Sequence, residues 1–347
     1  MSDKHINQLF EAFTPKNKQK EKIFRKILEK NKNETTGLKK FTPLKRLRPA
    51  VLAAVLMVCL TTTAVAAAFL ELDEVFLKFL KPVSYEQAQY LSNGAYVVDK
   101  QVVNESGSLT IKQVIGDSNL IYILMDFTAP EGTVLNAARY RFMDPNISTE
   151  DHGVRSTGFK VLDDGNPNDN KISLVMNIMT ENSVAGQTAH FKFKDLQAAD
   201  PLPGIFQTVI PGSWETTFKL DFKEYSKIYN VNQSIAMFDY KAVIKSISVS
   251  PISITLKIES SSSKEISEAS EAASKLKQTS ENEYLDRYPI TIKYKDGTSE
   301  TTSTFNGMSV ADRIANQILT IKTFENVIND KEIASIVFLG AEIPIEN

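Results

Sequence analysis

Residues 49–70, from Pro49 to Leu70, carry no charged side chain. At about 1.5 Å of helical rise per residue they reach roughly 33 Å. That matches the roughly 30 Å of a bilayer's hydrocarbon core, which takes about 20 apolar residues to cross. Nine of these residues are Val, Leu or Phe, favouring insertion by roughly 3–5 kcal/mol. The run Thr61–Thr63 weakens the second half, though threonine hydroxyls can bond back to the helix. A single membrane crossing is therefore expected here, and every other segment is read relative to it.

Charge divides at the same place. Residues 1–48 hold 14 Lys/Arg against 5 Asp/Glu, leaving 26 basic against 37 acidic groups in residues 71–347. Lys39, Lys40, Lys45, Arg46 and Arg48 crowd the N-terminal flank, while Glu71, Asp73 and Glu74 follow the other end. Positive charge stays inside, so the N-terminus is expected in the cytoplasm, with Lys45, Arg46 and Arg48 flanking the anchor at the lipid headgroups. Ala64-Val65-Ala66 and Ala66-Ala67-Ala68 fit the small-x-small rule for signal-peptide cleavage. A 48-residue leader is much longer than a signal peptide's basic region, which favours an uncleaved anchor.

The cytoplasmic piece, 1–48, is too short for a core of its own. Ile6, Leu9, Phe10 and Phe13 fall at helical spacing on one face. Thr14-Pro15 then reads as an N-cap followed by proline at the first helical position. A second helix, about 15–32, places Ile23, Phe24, Ile27 and Leu28 in an apolar stripe among lysines. These eight side chains need cover. A partner protein can take them as helix-in-groove anchors. The anionic inner leaflet can take the basic amphipathic helix. The two helices can also close on each other as a loose hairpin.

Residues 71–347 read as mainly β structure. Residues 71–92 suggest a juxtamembrane helical stalk with Phe76, Leu77, Phe79 and Leu80 apolar. Strands are expected at 95–103, 108–115, 120–127, 171–179 and 188–194, with Gly116-Asp117-Ser118-Asn119 as a turn. Trp214, Thr216, Phe218, Leu220 and Phe222 alternate as a half-buried strand does. A second set is expected at 240–249, 253–259, 289–294, 300–305, 319–324 and 333–339. The expected domains are thus 93–230 and 231–347, both antiparallel and sandwich-like. The Ser/Glu-rich stretch 259–282 is either a mobile insertion or a solvated helix with Ile266, Ala269, Ala273 and Leu276 inward.

Chemistry-bearing patterns are sparse. Cys59, inside the apolar segment, is the sole cysteine, so the exterior has neither a disulfide nor a cysteine-ligated zinc. Exported domains without disulfides suit a Gram-positive bacterium. No Gly-x-Ser-x-Gly elbow, His-Glu-x-x-His pair or phosphate-binding glycine loop occurs. His5 stands alone in the head, and His152 and His190 are far apart. The run Asp163–Asn170 departs from a calcium loop: counting from Asp164, position 6 is Asp169 rather than glycine and position 12 is Val175 rather than glutamate. It reads as a polar loop, and Trp214 as a core residue. No enzyme activity, cofactor, metal or direct nucleic-acid binding is expected.

Three stretches carry a resemblance: Leu9-Phe10 with Thr14-Pro15, Gln19–Ile23 and Ile27-Leu28; Gly212-Ser213-Trp214 with Phe218 and Leu220; and Ile247–Ile254, reading Ile-Ser-Val-Ser-Pro-Ile-Ser-Ile. Their order around the uncharged segment resembles the membrane anti-sigma factors of Gram-positive bacteria that carry an exported immunoglobulin-like domain. That resemblance covers most of the chain. It implies that the head sequesters an extracytoplasmic-function sigma factor, while the exterior senses an envelope signal or an unknown ligand. The head lacks the His/Cys zinc motif that some of these proteins use. The alternative is a membrane-anchored surface binding or structural protein with no sigma partner.

Overall fold

A computed structural model describes residues 72–347, apart from residue 83, 151–153, 164, 167, 200–204, 277–288, 304–307, 313–315, 325–326 and 346–347. The head and the uncharged segment 49–70 lie outside the described residues. Among the described residues no helix is long and apolar enough to cross a membrane.

The described chain is mainly β, with four antiparallel sheets and three α-helices. Helices α1 (Glu74–Leu80) and α2 (Tyr85–Gly94) come first. Eight strands follow: β1 (Tyr96–Asn104), β2 (Gly107–Gly116), β3 (Leu120–Thr128), β4 (Arg139–Ser148), β5 (Val154–Leu162), β6 (Lys171–Thr180), β7 (Thr188–Ala199) and β8 (Gln207–Lys219). They pair as β1-β2-β3-β6-β5 and as β4-β7-β8. Nine more complete the chain: β9 (Lys227–Met237), β10 (Tyr240–Val249), β11 (Ser253–Glu259), β12 (Pro289–Tyr294), β13 (Ser299–Ser303), β14 (Met308–Asp312), β15 (Gln317–Thr323), β16 (Ile333–Phe338) and β17 (Ala341–Pro344). These form sheets ordered β14-β15-β11-β10-β9 and β13-β12-β16-β17.

Alternation along β3 explains how the sheets pack. Ile121, Ile123, Met125 and Phe127 enter a core shared with Phe142, Phe191, Phe193 and Trp214 of the three-stranded sheet. Leu120, Tyr122 and Leu124 point to the other face and are buried there too. Both faces of a strand covered is what makes its sequence a near-continuous apolar run. Trp214 is fully buried, its Nε1 donates to the Gly107 carbonyl at 3.2 Å, and its ring meets Phe127 edge-on at 5.1 Å. It is the core residue that its alternation suggests. The last two sheets enclose a second core, built largely of isoleucine: Ile244, Ile254, Ile290, Ile292 and Ile336 with Phe338.

The strand order of the first two sheets follows an immunoglobulin pattern with one strand added. In constant-type immunoglobulin domains strands A, B, E and D share one sheet and C, F and G the other. Here β2-β3-β6-β5 and β4-β7-β8 fall in those two orders, and β1 extends the first sheet beyond β2. Strands β2 and β3 are joined by the short turn Gly116–Asn119, in which Asp117 N donates to the Leu120 carbonyl at 2.8 Å. So tight a connection keeps both strands in one layer.

The Ser/Glu-rich stretch is helical over Ser263–Leu276. Helix α3 (Ser263–Leu276) buries Ile266 against the second core. Strand β9 begins where periodicity fades in the sequence and pairs with β10, so the chain passes between sheet pairs at 220–226. The residues read as a stalk do not stand free. Leu72, Phe76, Leu80 and Leu91 join Leu120, Tyr122, Leu124, Val175 and Met179 of the first sheet and Ile252, Leu319, Ile321 and Val327 of the C-terminal half in a third apolar cluster. Burying each of these large side chains stabilises the arrangement by about 1.5–3 kcal/mol.

Candidate functional site: the junction below the first helices

Helices α1 and α2, the β2–β3 turn, the crossing segment 220–226 and the β10–β11 turn meet at one junction. Its centre is the β2–β3 turn. Asp117 Oδ1 accepts from the backbone N–H groups of Asn119 (2.9 Å) and Leu120 (2.8 Å), which closes the turn. Asp117 Oδ2 accepts from the hydroxyls of Ser250 (2.6 Å) and Ser253 (2.5 Å), 133 and 136 residues further along. Those serines cap the β10–β11 turn. Ser250 Oγ also accepts from the N–H of Ile252 at 3.2 Å and of Ser253 at 3.0 Å. One carboxylate thus holds two turns, one from each sheet pair.

Asp117 is 3% exposed. Its burial pushes the carboxyl above the usual carboxylate range; the donors from Ser250, Ser253, Asn119 and Leu120 pull it down, and burial prevails. The neighbouring residues extend the network. Ser118 N donates to Ser226 Oγ at 3.0 Å, and the hydroxyls of Ser118 and Ser183 both donate to the Glu224 carboxylate. Asn119 Nδ2 donates to the carbonyls of Thr180 and Glu181. The crossing segment 220–226 is therefore pinned to the same turn. Phe222 lies against Gly116, where a Cβ would sit 2.8 Å from its ring. Tyr225 packs on Tyr90 of α2 with ring centroids 4.1 Å apart. The Tyr90 phenol is pushed up, chiefly by burial and then by the Asp330 carboxylate.

The start of α1 is tied to the first sheet. Asp73 caps the helix by accepting from Val75 N at 2.9 Å. Its own N–H donates to Gln113 Oε1 at 2.7 Å, and its carboxylate pairs with Lys112. Burial pulls the Lys112 ammonium down, but Asp73 and Asp126 outweigh it and hold its pKa above the ordinary lysine value. At the other end of α1, the Leu80 carbonyl accepts from Val327 N at 3.2 Å. Helix α1 thus bridges both sheet pairs.

The arrangement is a clamp between two turns. Both serine hydroxyl protons are committed to Asp117, and His190 is an exposed residue of β7 with Nδ1 2.8 Å from Thr217 Oγ1. Among the described residues no group of three His, Cys, Asp or Glu is placed to hold a metal. In the acidic run, Asp163 accepts from Gly165 N, and Asp169 accepts from Asn166 Nδ2 and Lys171 N, so these side chains serve the loop's own turns.

The residues singled out for partner binding, Ile6, Leu9, Phe10, Phe13, Ile23, Phe24, Ile27 and Leu28, lie outside the described residues, as do Lys45, Arg46, Arg48 and His152. The Asp117 clamp was not legible as a site. Its two halves were each visible, one as a turn and one as the Ser250-Pro251-Ile252-Ser253 stretch within the third resemblance. Nothing in sequence spacing says that they meet.

No family model matches this chain, and no curated protein matches it. Among solved structures, a conserved domain protein from Bacillus anthracis is similar at 14% identity and a TM-score of 0.40, with 70% of this chain and 76% of that one covered.

Proposed function

We propose that this chain is a single-pass membrane anti-sigma factor. In this reading its head, residues 1–48, sequesters an extracytoplasmic-function sigma factor through the Ile6/Leu9/Phe10/Phe13 and Ile23/Phe24/Ile27/Leu28 stripes. Residues 49–70 cross the membrane, and two exported β-sandwich-like domains, 93–230 and 231–347, sense an envelope condition. The charge split supports the topology, and eight large apolar side chains on a 48-residue head support the need for a partner.

The observation that carries the sensing role is the placement of α1. It begins three residues after Glu71, and Phe76 and Leu80 are buried between both sheet pairs. A disturbance of the junction therefore reaches the chain just outside the membrane with almost no slack. A free stalk would have no such coupling.

The test is co-purification of the full-length chain with a sigma factor from its own cells. Phe10→Asp and Phe24→Asp should each abolish capture while leaving the amount of membrane-inserted protein unchanged. A full-length chain that captures no sigma factor refutes the reading and leaves a surface binding or structural protein.

A further inference from the structure

A cavity of about 170 Å³ opens where α1 meets the two sheet pairs. Its apolar wall comes from three places: Phe79 of α1, Tyr122 of β3, and Ile252 and Val327 of the C-terminal half. Phe79 and Tyr122 meet edge-on with centroids 5.1 Å apart, so the wall is fixed by packing. Two cations border it. Lys81 follows α1 in a left-handed conformation, with φ 48°, and Lys160 of β5 holds its ammonium 5.4 Å from the Phe79 ring centroid. Neither ammonium has a carboxylate partner among the described residues, and none of the cavity's described lining residues is acidic. The Tyr122 hydroxyl has no hydrogen-bond partner among the described residues, and burial, aided by the Asp117 carboxylate, keeps it protonated as a donor.

We propose that this cavity binds a small aromatic carboxylate, its ring against Phe79 and Tyr122 and its anion against Lys81 and Lys160. Size sets the class: an apolar cavity of roughly 150 Å³ accepts one benzene ring. The space here, about 170 Å³, matches a single ring with a short acidic substituent. Charge sets the sign, since two ammonium groups and a phenol donor meet no carboxylate among the described lining residues. With about ten non-hydrogen atoms engaged, the dissociation constant falls in the roughly millimolar range. Because the wall is shared by α1 and both sheet pairs, occupancy strengthens the junction itself. The inference stands on the cavity and does not depend on what the head binds.

The experiment uses the purified full-length chain with methyl-labelled isoleucine and valine. Phenylacetate is titrated while the Ile252 and Val327 signals are followed. Benzyl alcohol serves as the neutral ring and acetate as the ringless anion. Saturable shifts with phenylacetate are expected, with about tenfold weaker binding of either control. Lys81→Gln with Lys160→Gln should lower phenylacetate affinity about tenfold and leave benzyl alcohol unchanged. Val327→Phe, which fills the space, should abolish binding of both rings. If that variant fails to fold, the lysine pair, which is exposed, still decides. Absence of saturable shifts, or equal phenylacetate affinity in the lysine variant and the parent, overturns the proposal. A lost sigma-factor interaction would leave these shifts untouched, so the two readings fail separately.

Discussion

Asp117→Ala removes one carboxylate and, with it, the acceptor for four donors. The backbone N–H groups of Asn119 and Leu120 lose their partner inside a buried turn. The Ser253 hydroxyl loses its acceptor as well. Ser250 Oγ is better placed, because the Ser253 carbonyl lies 3.3 Å away and can take its proton. Three orphaned buried donors cost about 1–2 kcal/mol each, or about 3–6 kcal/mol together. The parent also spends free energy on burying the carboxyl, and losing that burden returns part of the cost, leaving ~2–4 kcal/mol of net destabilisation. Hydrogen exchange is the sharper assay, since two sheet pairs need not unfold in one step. The amides of Leu120 and Ser253 should lose protection by that amount, while amides in the middle of β6 and β7 keep theirs. Thermal unfolding should shift to lower temperature in parallel. Unchanged protection at both turns would refute the claim that this carboxylate holds the two sheet pairs together.

Two further outcomes follow from the same geometry. Asp117→Asn cannot ionise, so its stability should respond less to pH. The folded parent holds the Asp117 proton more tightly than the unfolded chain, whose aspartate titrates near its usual value of about 3.9. The stability this contributes is fully present below that value and lost as pH rises through the raised folded pKa. Denaturation of parent and variant from neutral pH downward should therefore show the parent gaining relative to the variant. A constant difference would mean that burial does not dominate. Gly107→Ala tests the first core's edge: Gly107 has φ 123°, and an added Cβ would lie 2.4 Å from the Thr128 carbonyl oxygen. The cost should be about 2 kcal/mol or more, read as a lower denaturation midpoint. A neutral result would contradict the close approach of these two backbones.

Most of the sheet structure was readable because burial writes itself into the sequence with a period of two. Phe191, Phe193, Trp214 and Phe218 alternate with polar neighbours and all face one core. Two strands that the sequence does not reveal, β4 and β9, have an exposed face that outweighs the buried one. In β4, Arg139, Arg141, Asp144 and Asn146 surround Tyr140 and Phe142, and Asp144 sits at φ 42° where the register slips. Strand β9 is an edge strand with only Ile235 and Met237 buried in the second core, so its alternation is faint. The third cluster was invisible for a different reason. Leu120, Tyr122 and Leu124 read as buried, but the residues covering them lie as far away as Leu319 and Val327. Local pattern reports that a side chain is hidden, not what hides it.

That shared cluster has a consequence for how the chain is made. Its first contributors, Leu72 to Met179, are synthesised well before its last, Val327. At about 5–20 residues per second, the 148 residues between Met179 and Val327 occupy roughly 7–30 s. Until Ile252 and then Leu319, Ile321 and Val327 emerge, the outward face of β3 and β6 lacks its C-terminal cover. A sticky apolar surface of this kind invites wrong partners. The nascent N-terminal half therefore depends on a holding factor, or on its own α1 and α2 closing early, to reach the point where the second half can cover it.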